Sequence, residues 1–74
     1  MGFVPQWWRS AVGDEVAAGV RPLGLDDRGR LRVACSSVAW RRQVQILERV
    51  LTVRVNRQAD RAVAGIVAEG PLSP

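Results

Sequence analysis

The hydrophobic positions of this chain fall into two periods, one of four residues and one of two. Over residues 5–19, Trp8, Val12 and Val16 recur every four positions with Ala11 beside them, which predicts a helix with one apolar stripe. Pro5 suits its first turn, Gly19 is its expected stop, and Pro22 cannot continue it. Gly13 interrupts it, at a propensity cost of about 1 kcal/mol against alanine. Trp7 lies off the stripe and is expected to pack on an edge or face solvent. The period then changes to two. Leu31, Val33 and Cys35 alternate with Arg30, Arg32 and Ala34, which predicts a half-buried strand over residues 30–36. Residues 21–26 are expected to form its hairpin partner, with Leu23 and Leu25 facing inward, around a turn at Asp26-Asp27-Arg28-Gly29.

The four-residue period returns after Ser36 and Ser37, either of which can cap a helix over residues 38–57. No Glu or Gln stands three positions on to complete a capping box. At 100° per residue, Trp40, Val44, Leu47, Leu51 and Val55 share one arc, with Val50 at its margin. Arg42, Gln45, Arg49 and Asn56 occupy the opposite side. Ile46 and Val53 fall between the two arcs, next to Arg42, Arg49 and Arg57. A polar connection follows, then a third strand over residues 62–68 with Ala64, Ile66 and Ala68 inward. The expected fold is α+β, in the order αββαβ: a three-stranded sheet with two helices packed on one face. Residues 1–4 and 70–74 are assigned as tails around a single domain spanning 5–69.

Composition narrows the function. At 74 residues the chain buries about 60% of its unfolded surface, enough for one small core and no interdomain cleft. Histidine is absent and Cys35 is the sole cysteine, so there is no His-based triad, thiol–imidazole pair or ordinary zinc cluster. The adjacent carboxylates Asp14-Glu15 and Asp26-Asp27 fit a helix surface and a turn, and the glycines form no phosphate loop. No enzyme activity and no cofactor or metal is expected. Cys35 reads as a small core residue in a reducing, cytoplasmic setting; nothing predicts a membrane span or a secretion signal.

All eleven basic residues are arginine and the net charge is +4, which suits phosphate or carboxylate partners. Arg42, Ile46, Arg49 and Val53 make the candidate partner-binding face, apolar residues rimmed by arginine. Arg9, Arg21, Arg41, Arg57 and Arg61 are the candidate nucleic-acid contacts. A merely solvated arginine surface, with Ile46 and Val53 covered by the sheet or the tail, is the competing reading.

Several stretches together carry a family resemblance. They are Trp8-Arg9-Ser10-Ala11-Val12-Gly13, Arg21-Pro22, Gly29-Arg30-Leu31-Arg32-Val33, Ser36-Ser37-Val38-Ala39-Trp40-Arg41-Arg42-Gln43-Val44, Asn56, and Ile66 with Gly70-Pro71. This set resembles the core of the DciA family, bacterial proteins that load or operate the replicative DNA helicase, and its arginine-only charge resembles the actinobacterial branch. The resemblance implies a KH-like fold and no catalysis. It implies the hexameric replicative helicase as partner and DNA, single-stranded or forked, as second ligand. Trp8, Ser36, Ser37, Trp40 and Gln43 match the family signature, and the two tryptophans are expected to serve the core. The chain departs from the family pattern at Gly19, often histidine there, at Val44, usually leucine, and in a turn one residue longer. The long basic extension many members carry is not seen in these residues, as expected of a trimmed domain or a reduced paralogue. No Gly-x-x-Gly loop is present, so RNA clamping of the KH kind is not expected. The alternative reading is a small KH-like nucleic-acid binder without a helicase partner.

Overall fold

The computed structural model describes residues 4–58 and 62–71. The fold is α+β, as the periodicity predicts, with both long helical stretches broken. The first stretch divides at Gly13 into α1 (Gln6–Val12) and α2 (Asp14–Gly19). Gly13 holds φ 91° and ψ 162°, a conformation open to glycine, so it ends one helix and starts the next. Its N–H donates to the Arg9 carbonyl and its carbonyl accepts from Ala17 N–H. The turn shifts the apolar stripe. Trp8, Ala11 and Val12 are buried on α1, whereas on α2 Ala17 is buried and Val16 only half-buried.

Strand β1 (Val20–Leu25) pairs antiparallel with β2 (Leu31–Cys35), and β3 (Ile66–Glu69) adds parallel to β2, giving the order β1-β2-β3. The third strand is shorter than the period suggests: Ala64 precedes it and is exposed. Leu23 does not face the core: the register shift between Pro22 and Gly24 leaves it as the unpaired residue of a bulge, and it is exposed. Leu25 pairs with buried Leu31 and borders a cavity with Trp7, Val55 and Val63, but at the hairpin end of the strand it stays 43% exposed. Val20 takes the inward place in β1. The Asp26 carboxylate accepts from the backbone N–H groups of Arg28 and Arg30 at 2.9 and 2.8 Å, which closes the hairpin turn.

The second helical stretch divides at Leu47 into α3 (Val38–Ile46) and α4 (Glu48–Gln58). Leu47 sits at φ −95° and ψ 10°, and its carbonyl already accepts from Leu51 N–H, so the helices meet at a one-residue elbow. Of the two serines, Ser37 is the cap: its hydroxyl accepts from Trp40 N–H at 3.0 Å. Val44, Leu51 and Val55 are buried, and Trp40 and Leu47 half-buried against the same core. Val20, Leu31, Val33, Cys35 and Ile66 supply the sheet side of that core, joined by side chains from all four helices. Trp8 anchors it. It is fully buried, packs edge-on against half-buried Trp7, and its indole N–H donates to the Val20 carbonyl at 2.8 Å, tying α1 to β1. Gly19 is needed for close approach, since a Cβ there would run into the Trp40 indole.

Asn56 departs from its expected place on the polar side of the helix. It stands next to buried Val55 on α4 and is half-buried. Its side chain takes both backbone groups of Val63, accepting from the N–H at 2.7 Å and donating to the carbonyl at 3.4 Å. It thereby fixes the chain that leads into β3. Among the described residues no helix is long and apolar enough to cross a membrane.

Candidate functional site

The arginines of this domain are held to different degrees. Three on α1 and in or beside the sheet are held by carboxylates, whereas Arg21 on β1 is exposed with no ion pair among the described residues. Arg9 reaches Asp14 at 3.2 Å, Arg30 reaches Asp26 at 2.8 Å, and Arg32 grips both oxygens of Glu69 across the strands at 2.5 and 2.9 Å. The Glu69 carboxyl is held below its ordinary range chiefly by the Arg32 side chain. That of Asp26 is lowered chiefly by the Arg30 backbone N–H. The open face of the sheet carries a groove of about 680 Å³ along Arg21, Leu23, Arg32, Ala34 and Glu69, in which one guanidinium is already neutralised.

The α3–α4 surface differs. Helices α3 and α4 carry Arg41, Arg42, Arg49, Arg54 and Arg57 against the single carboxylate Glu48, so their formal charge is +4. That equals the charge of the whole chain; the other six arginines are matched by six carboxylates. Glu48 is moreover directed inward, accepting from Ile66 N–H at 3.3 Å at the start of α4. Among the described residues, Arg42, Arg49, Arg54 and Arg57 make no ion pair and no side-chain hydrogen bond, and all four are exposed.

Exposed apolar side chains interleave with them. Val38, Arg42 and Ile46 follow one another every four residues along α3, as do Arg49, Val53 and Arg57 along α4, with Val50 and Arg54 alongside. Ile46 is 75% exposed and Val53 50%, while Val44, Leu51 and Val55 on the same helices are buried. Arg42, Ile46, Arg49 and Val53 therefore all stand in solvent, uncovered by the sheet.

The five arginines proposed from sequence for nucleic acid are distributed differently. Arg9, Arg21, Arg41 and Arg57 lie on four separate elements, and Arg61 lies outside the described residues. Arg9 is engaged by Asp14, Arg21 and Arg57 are exposed, and Arg41 is half-buried with its guanidinium donating to the Gly70 carbonyl at 2.9 Å. Of the signature residues, Trp8 is in the core, Ser37 caps α3, Trp40 packs on Gly19, and Ser36 and Gln43 are exposed. Cys35 is buried, and burial pushes its thiol up, so it stays protonated at neutral pH. Among the described residues, no group of His, Cys, Asp and Glu side chains could hold a metal ion.

Sequence periodicity missed two functional-looking positions that prove to be braces, Glu48 and Asn56. Glu48 gave no signal, since the sequence pattern runs one helix through it and its place at a helix start shows only in the structure. Asn56 gave none. The gathering of the net charge onto one helical stretch was countable in the sequence; the absence of partners for it was not.

The family model described as "Dna[CI] antecedent, DciA" matches residues 4–67. This chain belongs to the DciA family. A UPF0232 protein of Rhodococcus jostii is 31% identical over 74 residues, covering 99% of this chain and 39% of its own length. UPF0232 proteins of Mycobacterium tuberculosis and Mycobacterium bovis show the same identity and coverage. The domain thus spans about two fifths of the length of these actinobacterial relatives. No solved structure matches the chain. Within this DciA-family domain, the signature tryptophans Trp8 and Trp40 pack into or against the core, and the open arginine surface lies on the other side of the helix that carries Trp40.

Proposed function

We propose that this DciA-family domain is a non-enzymatic interaction module that helps load or operate the replicative DNA helicase on DNA, with Arg42, Ile46, Arg49 and Val53 as its partner face. One observation carries the reading: α3–α4 carries a formal charge equal to that of the whole chain, and four of its arginines stand without an ion pair among the described residues, interleaved with exposed valine and isoleucine. Exposed apolar side chains rimmed by arginine have the composition of a protein interface. Family membership supports the helicase as the partner. The absence of histidine and the protonated state of the sole thiol favour a binding role over catalysis. A cytoplasmic setting follows from the same reading.

Arg42→Glu combined with Arg49→Glu is expected to abolish co-elution with the helicase of the same organism, with circular dichroism and melting temperature unchanged. Among the described residues neither arginine has an ion-pair or side-chain hydrogen-bond partner whose loss would unsettle the fold. Normal helicase binding by the folded double variant would overturn the face.

A second reading, a nucleic-acid binder without a helicase partner, is favoured by the exposure of Arg42, Arg49, Arg54 and Arg57, whose planar forks suit phosphate. Four phosphate contacts would make the affinity for DNA fall with a log–log salt slope of about −3 to −4. A mainly apolar protein interface would not show such a slope.

A further inference from the structure

We infer that the α3–α4 surface docks an acidic amphipathic helix of its protein partner, with Ile46 and Val53 entering the apolar stripe of that helix and Arg42, Arg49, Arg54 and Arg57 pairing with the carboxylates beside it. The inference rests on the reading of α3–α4 as the partner face and specifies what that face recognises.

Charge complementarity sets the sign of the occupant. Two helices with five arginines and one inward-directed glutamate call for an anionic partner. The apolar residues set its class. Four of the eight positions on the exposed rows are Val38, Ile46, Val50 and Val53, each about half exposed or more. A phosphate backbone would pair with the arginines and leave these four in water. Single-stranded DNA would need an aromatic platform for its bases, and the tryptophan of this stretch, Trp40, packs against Gly19 instead. A lipid surface favours segregated faces, with Trp, Phe or Leu on one side and basic residues on the other; here apolar and basic residues alternate along each row. An acidic helix with apolar residues every three or four positions matches both components at once, since rows spaced by four on one helix fit between the rows of another.

The test uses the full chain and a synthetic amphipathic helix of about 20 residues, with leucines every three or four positions and glutamates flanking them. The expected result is saturable binding that competes with capture of the helicase. Ile46→Ser with Val53→Ser keeps every charge and alters only exposed positions; it should weaken peptide binding about 10-fold or more while leaving affinity for single-stranded DNA unchanged. The same peptide with glutamine for glutamate should bind far more weakly. Undiminished peptide binding by the serine variant, or equal binding of the glutamine peptide, would overturn the inference. A loss that instead appears with single-stranded DNA or phosphatidylglycerol vesicles would overturn it too. Helicase capture that is lost in Arg42→Glu/Arg49→Glu, while the peptide neither binds nor competes, would sink the inference and leave the partner face standing. Peptide binding without helicase capture would sink the helicase reading and leave the inference.

Discussion

On the sheet side of this domain Arg30 is held by Asp26 and Arg32 by Glu69, and Arg9 of α1 reaches Asp14. On the α3–α4 side Arg42, Arg49, Arg54 and Arg57 have no carboxylate within reach among the described residues. The residue type is the same, so the difference lies in where the carboxylates fall along the chain. Asp26 closes the hairpin turn, and Glu69 stands at the end of the parallel strand, within reach of Arg32 on the neighbouring strand. Both serve the geometry of the sheet. In α3 and α4 the single carboxylate is used as a brace to β3. What results is a sheet side on which Arg30 and Arg32 are neutralised by carboxylates, and an α3–α4 side on which four arginines stand without one among the described residues. The apolar residues follow the same division. Leu23 is exposed at a register shift and Leu25 at the hairpin end of an edge strand, whereas Val38, Ile46, Val50 and Val53 are exposed in rows on regular helix.

The comparison requires that the core and the open face be separable, and Trp8→Ala tests this most severely. Trp8 is fully buried and its indole N–H satisfies the Val20 carbonyl. Its removal should destabilise by about 3–5 kcal/mol through the cavity and the orphaned carbonyl. For a domain this small that is most of the stability. Chemical denaturation should show the domain largely unfolded, with partner binding lost as a consequence. A variant that kept its stability would mean that α1 is not what anchors the helical layer to the sheet.

Asn56→Ala sharpens the boundary between the two sides. Asn56 shares α4 with Arg54 and Arg57 but faces inward to hold both backbone groups of Val63. Losing it strands a half-buried N–H and carbonyl and should cost about 1–3 kcal/mol in denaturant melts. Helicase binding by the fraction that remains folded should be unchanged. Reduced affinity at full stability would place Asn56 on the partner face and move the boundary.

How far the sequence revealed this arrangement depends on the kind of signal. The sheet was legible in the alternation of Leu31, Val33 and Cys35, and the helical layer in the Trp8 and Val44 stripes, because burial leaves a period. The elbow at Leu47 was not legible, since no glycine or proline marks it. The phase nevertheless carries across it, since Leu51 and Val55 are buried where the pattern put them; Asn56 was missed because its partner is the Val63 backbone, which no helical pattern reveals. Leu23 was misplaced because it is the extra residue of a bulge, whereas Leu25 is in register with buried Leu31 but stays partly exposed at the hairpin end of the strand. For the candidate surface, residue types and spacing were readable, and Ile46 and Val53 stand where the helical wheel put them. Whether each arginine had a partner depended on contacts such as Arg32 with Glu69, made across 37 positions of the chain, which no local pattern carries.

The smallest effect separates the two groups of arginines by pH. The folded-state pKa values of Asp26 and Glu69 are depressed, by the Arg30 backbone N–H and the Arg32 side chain respectively. Each carboxylate therefore contributes stability that is fully present above its unfolded pKa and is lost as pH falls through its folded one. The window lies below about pH 4, where free carboxylates titrate. Glu69→Gln should lower the melting temperature slightly at neutral pH, and the gap to wild type should close on acidification through that window. Arg42→Gln with Arg49→Gln should show no gap at neutral pH. At acid pH it should melt at or slightly above the wild-type temperature, because the chain is by then strongly positive and two like charges have been removed. A Glu69→Gln gap that persisted well below the window would show that the Arg32 pair does not act through its charge. An Arg42/Arg49 variant that melted lower at neutral pH would show that the open arginines have partners within the fold.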